Sequence, residues 1–356
     1  MDIADLCVSP STIIRDVIKQ IDTTRRGIAL VTHPDGRLVG TITDGDLRRA
    51  VLAGIDLSDP ASVLLARKAG SKYSKPIAVK QGASKAQVLA LLRKHSISHV
   101  PVVDAADRVV DLVTRGEFLP EATPTVEAVI MAGGYGRRLQ PLSDVVPKPM
   151  LPIGERPLME IIVEQLREAG IKRVNVTTHY QSWKIMDHFG DGSDFGVSLS
   201  YVTEDRPLGT AGGLGLLSPP SDTLLVMNAD ILTDVDFRAM VAFHREQKAD
   251  FTLAVREHTI DVPYGVVQCE GPVVRRLTEK PALTFLVNAG IYLLEPSVYS
   301  FIPNGEPFDM TELIGRLLES GRAVVGFPIH EYWRDIGHPD DYQRAQQDAA
   351  GWGQGS

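Results

Sequence analysis

The stretch from Met131 to Met150, MAGGYGRRLQPLSDVVPKPM, constrains this chain more than any other, because it follows an apolar run, Val126 to Ile130, that reads as a buried strand. Gly133, Gly134 and Gly136 let the backbone turn sharply and bring its N–H groups toward an anion, with no Cβ in the way. Arg137, Arg138 and Lys148 add fixed positive charge. A dinucleotide fingerprint does not fit: GxGxxG would need a glycine where Leu139 stands, and no acidic strand end follows at the usual distance. The specificity lies in the order GGxGxRLxPLxxxxPKPMLPI, which joins a glycine loop, an arginine, two proline-stiffened segments and a lysine. A glycine turn followed by a solvated basic loop is the plain alternative, and the strand and helix context decides between the two.

At 356 residues, 44% hydrophobic and 23% charged, the chain can bury a large core and is long enough for two domains. A net charge of −8 argues against a nucleic-acid binder, whose affinity would rest on a basic surface. Only Cys7 and Cys269 are present, too few for a disulfide framework or a thiolate metal site, which suits a reducing cytoplasm. Asp2, Asp5, Arg15, Asp16 and Lys19 interrupt the first twenty residues, so no signal peptide is expected, and no long apolar run follows. The expectation is a soluble cytoplasmic protein without membrane or nucleic-acid partners.

An internal repeat governs the first third. Setting Thr43 against Thr114 gives an offset of 114 − 43 = 71, at which Leu30–Leu47 lies on Pro101–Phe118 without a gap. The same offset sets Val17, Ile18 and Ile21 on Val88, Leu89 and Leu92, an apolar stripe that fits one helix face. Each unit therefore reads as a helix, two short strands joined by a turn such as Pro34-Asp35-Gly36, and a second helix, which over Leu47–Ala53 follows the first hairpin.

The repeat resembles a tandem pair of CBS domains, an α+β Bateman module that binds adenosine nucleotides in many enzymes, over residues 1–119. Its mark is Gly40-Thr41-Ile42-Thr43-Asp44-Gly45-Asp46, where the family sets a Thr and an Asp against the ligand ribose. The resemblance implies Thr43 and Asp46 as ligand residues for AMP or ATP, with Thr114 and Glu117 as their equivalents, and a homo-oligomer formed by CBS pairing. Asp111 stands in the second unit where the first has Gly40, so that site departs from the pattern. Asp46 can instead serve simply as a helix cap.

Pro120-Glu121-Ala122-Thr123-Pro124 reads as part of a linker over 120–125. From 126 to 349 strands and helices alternate, as in a mostly parallel α/β layer. Strands are expected at Val126–Met131, Val174–Thr177, Leu224–Met227, Phe251–Val255, Phe285–Leu294 and Arg322–Phe327, with helices at Arg156–Ala169, Asp236–Gln247 and Pro339–Ala349. Residues 350–356 read as a flexible tail. Such sheets bind ligands at the carboxyl ends of their strands. Four further clusters fall there. Pro207-Leu208-Gly209-Thr210-Ala211-Gly212-Gly213 is a second glycine-rich turn, suited to close approach of a flat base, and Asn228-Ala229-Asp230 ends a strand on a carboxylate. Glu279-Lys280-Pro281 and Asn288-Ala289-Gly290 offer polar groups, and Trp333-Arg334-Asp335-Ile336-Gly337 brings a second carboxylate. Two aspartates with phosphates and waters suit Mg²⁺.

Together these motifs resemble the sugar-1-phosphate nucleotidyltransferases, or nucleoside-diphosphate-sugar pyrophosphorylases, which have a Rossmann-like, GT-A-like mixed-sheet α/β domain. The resemblance implies that Ala132, Gly133, Gly134 and Gly136 hold an NTP, that Arg138 and Lys148 act on phosphate charge, and that Leu208, Gly209 and Thr210 line the base. It further implies Asp230 and Asp335 as Mg²⁺ ligands, and Tyr264, Gly265, Glu279, Lys280 and Asn288 around a sugar 1-phosphate. Arg137 stands where the family often has a small hydroxyl residue, and Ala229 where a glycine is frequent. PLGTAG, PKPMLPIG and HEYWRDIG together resemble guanylyltransferases acting on mannose, heptose or glucosamine 1-phosphate. Nearest in layout are the CBS-linked glucosamine-1-phosphate guanylyltransferases of bacterial legionaminic acid synthesis, and the acyltransferase β-helix of some relatives is not expected after Ala349. A uridylyltransferase on an amino-sugar 1-phosphate and a catalytically inactive nucleotide sensor are the alternatives.

Overall fold

The computed structural model describes residues 2–70, 73–95, 97–118 and 126–352. The chain divides into two compact units, Met1–Ala122 and Thr123–Ser356. The expected linker at 120–125 lies outside the described residues, as does the end of the expected tail, 353–356.

In the first unit the repeat is built as two similar modules. A helix at Ile14–Thr24 precedes a hairpin of Ile28–Thr32 and Leu38–Thr43, and a helix at Lys85–His95 precedes one of His99–Val103 and Val109–Thr114. The stripe largely does what its spacing predicts, since Val17, Ile18, Ile21, Val88 and Leu92 are buried, while Leu89 is half-buried. Each hairpin also gains a short parallel strand, Cys7–Val8 or Val79–Lys80, too brief to show in the sequence. The offset of 71 reappears in the backbone. Arg37 bridges Arg108, its own repeat equivalent, and Leu38 N–H donates to Asp107 O at 3.0 Å while Val109 N–H donates to Gly36 O at 3.0 Å. A pseudo-twofold axis therefore passes through that bridge. The helix after the first hairpin spans Asp44–Leu52, beginning three residues before the expected Leu47. Its equivalent opens as a 3₁₀ turn at Arg115–Glu117, and 119–125 lie outside the described residues.

The second unit is built on a seven-stranded sheet in the order Ser198–Thr203, Arg173–Thr178, Glu127–Ala132, Leu224–Asn228, Ala282–Leu294, Phe251–Asp261, Val324–Ile329. Only Ala282–Leu294 runs against its neighbours, so the sheet is mixed but mainly parallel. Ala128, Val129 and Ile130 are wholly buried, as a central strand covered on both faces requires. The helix Leu158–Glu168 buries Leu158, Met159, Ile161, Ile162, Val163 and Leu166. It stops where Gly170 turns left-handed, with Ile171 N–H returning to Leu166 O at 2.8 Å and Gly170 N–H to Arg167 O at 2.9 Å, a Schellman closure. Asp236 caps the crossover helix Phe237–Gln247 by accepting from Arg238 and Ala239 N–H.

The strands from Phe251 and to Leu294 continue past the core as an exposed antiparallel arm, completed by the hairpin Val266–Glu270 and Val273–Thr278. Both strands run longer than the expected Phe251–Val255 and Phe285–Leu294, because Arg256–Asp261 is mostly polar and exposed and Ala282–Thr284 lies wholly on the exposed arm. No helix among the described residues is long and apolar enough to cross a membrane.

Candidate active site

The chain leaves Glu127–Ala132 toward one edge of the sheet and returns to add Leu224–Asn228 on the other side of that first strand. The crevice at such a reversal, beyond the carboxyl ends of the two strands, is where α/β sheets bind ligands. The glycine loop leaves one strand there and Asn228-Ala229-Asp230 leaves the other, tied by Ala229 N–H donating to Met131 O at 3.1 Å.

The loop is held by its own chain. Gly136 has a φ of 64°, a left-handed turn that an L side chain resists, and its carbonyl accepts from Ser143 Oγ at 2.8 Å. A methyl at Gly136 would lie 3.4 Å from Lys148 Cβ, so the lysine rises directly beside the loop. Lys148 Nζ forms an ion pair with Asp230 Oδ2, both side chains mostly buried. The other oxygen, Asp230 Oδ1, is buried with no hydrogen-bond partner among the described residues, and so is the nearby Asn228 Oδ1.

Asp335 reaches the same place by a second ladder. Ile231–Thr233 pairs antiparallel with Trp333–Asp335, setting Ile231 opposite Asp335, and Ile336 N–H donates to Asp230 O at 2.9 Å. Desolvation first, then the negative charge of Asp230, pushes the Asp335 carboxyl above its usual range, while Lys148 and Arg138 oppose the shift. Two carboxylates that repel each other, one with an orphaned buried oxygen, form a donor set that fits a hard divalent cation taking oxygen ligands. Arg138 is exposed in the middle of the 3₁₀ turn Arg137–Leu139 and makes no hydrogen bond or ion pair among the described residues. Arg137 instead lies over the Tyr135 ring at 5.1 Å, and Tyr135 Oη shares a 2.9 Å hydrogen bond with His179 Nε2.

The second glycine-rich turn is fastened to residues 303–310. Thr210 N–H and Oγ1 both bond Asp309 Oδ1, at 2.9 and 3.2 Å, and Thr210 Oγ1 accepts from Met310 N–H at 2.8 Å, capping the helix Met310–Glu319. Gly209, at φ 77°, leaves no room for a side chain: a methyl there would stand 2.5 Å from Asp309 Oδ1 and 2.8 Å from Phe308 O. The glycine and threonine thus have a packing reason to be present besides any contact with a base.

Glu204, which the sequence reading did not single out, joins the two loops. It is 5% exposed, and its Oε2 accepts from Leu208 N–H at 3.0 Å. Its Oε1 lies 2.9 Å from where a methyl on Gly133 would stand and 2.7 Å from one on Gly213. The signal available was position alone, the first residue beyond the edge strand Ser198–Thr203.

Of the expected sugar residues, Asn288 is brought toward the carboxylates. Its Nδ2 donates to Tyr292 Oη at 2.9 Å, and burial first, with the Asp230 charge adding to it, raises the Tyr292 hydroxyl. Tyr264, Gly265, Glu279 and Lys280 sit on the exposed arm, where a methyl at Gly265 would come within 3.0 Å of Glu279 Oε2. No hydrogen bond or ion pair ties these four to Lys148, Asp230 or Asp335 among the described residues. In the first unit, Thr43 N–H and Oγ1 both donate to Asp46 Oδ2 at 2.8 Å, and Thr114 N–H and Oγ1 to Glu117 Oε1 at 3.0 Å, reciprocal caps at equivalent repeat positions. Asp46 is further held by Lys68 and by Arg49 at 2.6 Å.

The family described as Nucleotidyl transferase matches residues 127–351, and the family described as CBS domain matches residues 2–53 and 72–122. A Mycobacterium tuberculosis mannose-1-phosphate guanylyltransferase is 37% identical over 235 residues, 64% of this chain and 65% of that protein. A Synechocystis UTP–glucose-1-phosphate uridylyltransferase is 34% identical over 245 residues, 62% of each chain. This chain therefore spans just under two thirds of the length of these relatives. Among solved structures, a Bacillus anthracis protein assigned as a glucose-1-phosphate thymidylyltransferase, in complex with a sucrose, superposes with a TM-score of 0.53 at 27% identity, covering 63% of this chain and 95% of the other.

Proposed function

Because the chain belongs to the nucleotidyl transferase family and carries two CBS domains ahead of that region, we propose that it transfers a nucleotidyl group, GMP from GTP, to a sugar 1-phosphate with Mg²⁺ and releases pyrophosphate. The observation that carries this reading is the convergence of Lys148, Asp230 and Asp335 beside the glycine loop, at the reversal of the sheet. An oxygen of the sugar 1-phosphate attacks the α-phosphorus in line, a new P–O bond forms, and the bond to pyrophosphate breaks. That nucleophile is already ionised at neutral pH, so no general base is needed. The harder task is to hold two anions together. Arg138, with no hydrogen bond or ion pair among the described residues, and Lys148, beside Gly136, supply the positive charge, and Gly133, Gly134 and Gly136 supply backbone N–H groups to the triphosphate. Asp230 and Asp335 would hold Mg²⁺, which would supply Lewis-acid charge to offset that of the phosphates.

Leu208, Gly209 and Thr210 line the base, while Tyr264, Gly265, Glu279, Lys280 and Asn288 surround the sugar. Glucosamine, mannose and heptose 1-phosphates are the acceptors to test. In the first unit, Thr43 and Asp46, with Thr114 and Glu117, meet the ribose of AMP or ATP, and CBS pairing makes the homo-oligomer. The relative named as a uridylyltransferase favours a second reading, UTP as donor. The test is a panel of NTPs against these sugar 1-phosphates with Mg²⁺, read by pyrophosphate release. Turnover with GTP supports the reading, turnover with UTP alone favours the second, and none with any pair reduces the protein to a nucleotide sensor.

A further inference from the structure

We propose that Lys68 makes the first CBS site selective for a phosphorylated nucleotide over its nucleoside, by holding the Asp46 carboxylate until the ligand's own phosphate draws the ammonium away. This rests on the reading of Thr43 and Asp46 as a ribose site. In the structure that carboxylate is fully engaged. Its Oδ2 accepts from Thr43 N–H and Oγ1 at 2.8 Å each and pairs with Lys68 Nζ, and its Oδ1 pairs with Arg49 Nη2 at 2.6 Å. These donors match the roughly four lone-pair sites of a carboxylate, and the group is 8% exposed. Two vicinal ribose hydroxyls find no place on it until a donor leaves.

Lys68 is the donor that can leave. The Thr43 bonds belong to the capping box that starts the helix Asp44–Leu52, and Arg49 lies further along that same helix. Lys68 comes from outside it, on the last turn of the helix Ala61–Lys68. That second helix packs closely on the strand carrying the motif: a methyl on Gly40 would stand 2.7 Å from Leu65 Cδ2, and Lys68 Nζ also donates to Thr41 O at 2.8 Å. The lysine side chain is 17% exposed. An ammonium drawn from its carboxylate in such a place needs another anion to replace it. A nucleoside brings hydroxyls for Asp46 and nothing for Lys68. A nucleotide brings both, because its 5′-phosphate rides on the same ribose, and a lysine on its flexible stem follows a phosphate as a point charge.

The second module lacks this arrangement. Thr114 N–H and Oγ1 bond Glu117 Oε1 at 3.0 Å in the same way, but Glu117 is exposed and no lysine or arginine pairs with it among the described residues. The offset of 71 sets Lys68 on Leu139, which lies in the other unit. The demand for a phosphate therefore belongs to the first site alone.

The test measures equilibrium binding of AMP and adenosine to the full chain carrying Glu117→Ala, which removes the carboxylate of the second site, with Lys68 intact or replaced. With Lys68 intact, AMP should bind roughly 10- to 100-fold more tightly than adenosine. Lys68→Met keeps a stem of similar length without the charge. In that variant adenosine should bind more tightly than before, and its gap to AMP should shrink to about threefold or less. Lys68→Arg, still charged, should keep the gap. Adenosine bound as tightly as AMP with Lys68 intact, or an undiminished gap in a folded Lys68→Met, overturns the inference and leaves the ribose-site reading standing. Neither ligand bound, with Lys68 or with Met in its place, means that Thr43 and Asp46 form no ribose site, and the inference falls with that reading. If Lys68→Met does not fold, Lys68→Gln takes its place, and if neither folds the comparison with Lys68 intact decides alone.

Discussion

Most of the proposed chemistry rests on Asp230, which among the described residues is the site carboxylate paired with Lys148 and has a second oxygen that is buried with no hydrogen-bond partner. Asp230→Ala should lower turnover at least 10²–10³-fold while the melting curve stays that of a folded protein. Near-normal pyrophosphate release would remove Asp230 from the site. Asp46 makes a different prediction. Its burial, 8% exposed, works against ionisation, but the charge and hydrogen bond of Lys68 and the bonds from Thr43 outweigh it and hold the carboxyl below its ordinary range. A depressed carboxyl contributes stability above the unfolded value near pH ~4 that is lost as pH falls through the folded value. Asp46→Asn, which leaves the mostly buried Lys68 without its counter-charge, should cost about 3 kcal/mol at pH 7 and flatten the acid limb of stability against pH. An unchanged acid limb would contradict the assignment. At this scale the sequence was informative where separate motifs meet in space, as Lys148, Asp230 and Asp335 do. Glu204 was not legible, because one of 45 acidic residues is marked out only by burial between loops that meet in three dimensions.

Among elements, the turn after Pro207 shows how a motif can carry two demands at once. Thr210 and Gly209 fit the turn against Phe308 and Asp309, so the loop that would line a base is also braced from behind. Gly209→Ala would force a methyl against Phe308 O at a left-handed φ, and should cost about 2 kcal/mol or more as well as weaken nucleotide binding. A melting temperature within a degree of wild type would show that the turn yields more easily than its contacts suggest. The buried central strands were legible from continuous apolar runs. The edge strand Ser198–Thr203 was not, because its alternation of serine with apolar residues, half facing solvent, resembles a loop. Asp44–Leu52 begins earlier than expected because Thr43 and Asp46 form a capping box, which places Asp46 inside the first helical turn rather than ahead of it.

Across the whole molecule, the offset of 71 was legible in sequence and returns as a pseudo-twofold axis at the bridge between Arg37 and Arg108. The order of the seven strands was not, since sheet neighbours depend on which crossover packs against which face. If the CBS module binds AMP or ATP in its folded form alone, ligand at a hundred times its Kd should add about 2.7 kcal/mol to that unit's stability, readable as an upward shift of its thermal transition. No shift with either nucleotide would leave the module to pairing. The most direct measurement is pyrophosphate release by the full chain with Mg²⁺, GTP and each of glucosamine, mannose and heptose 1-phosphate, run beside Asp230→Ala. Release that needs both a nucleotide and a sugar phosphate, and that collapses in the variant, is the predicted result. No release with any NTP and acceptor, or equal release from the variant, would contradict nucleotidyl transfer at this site.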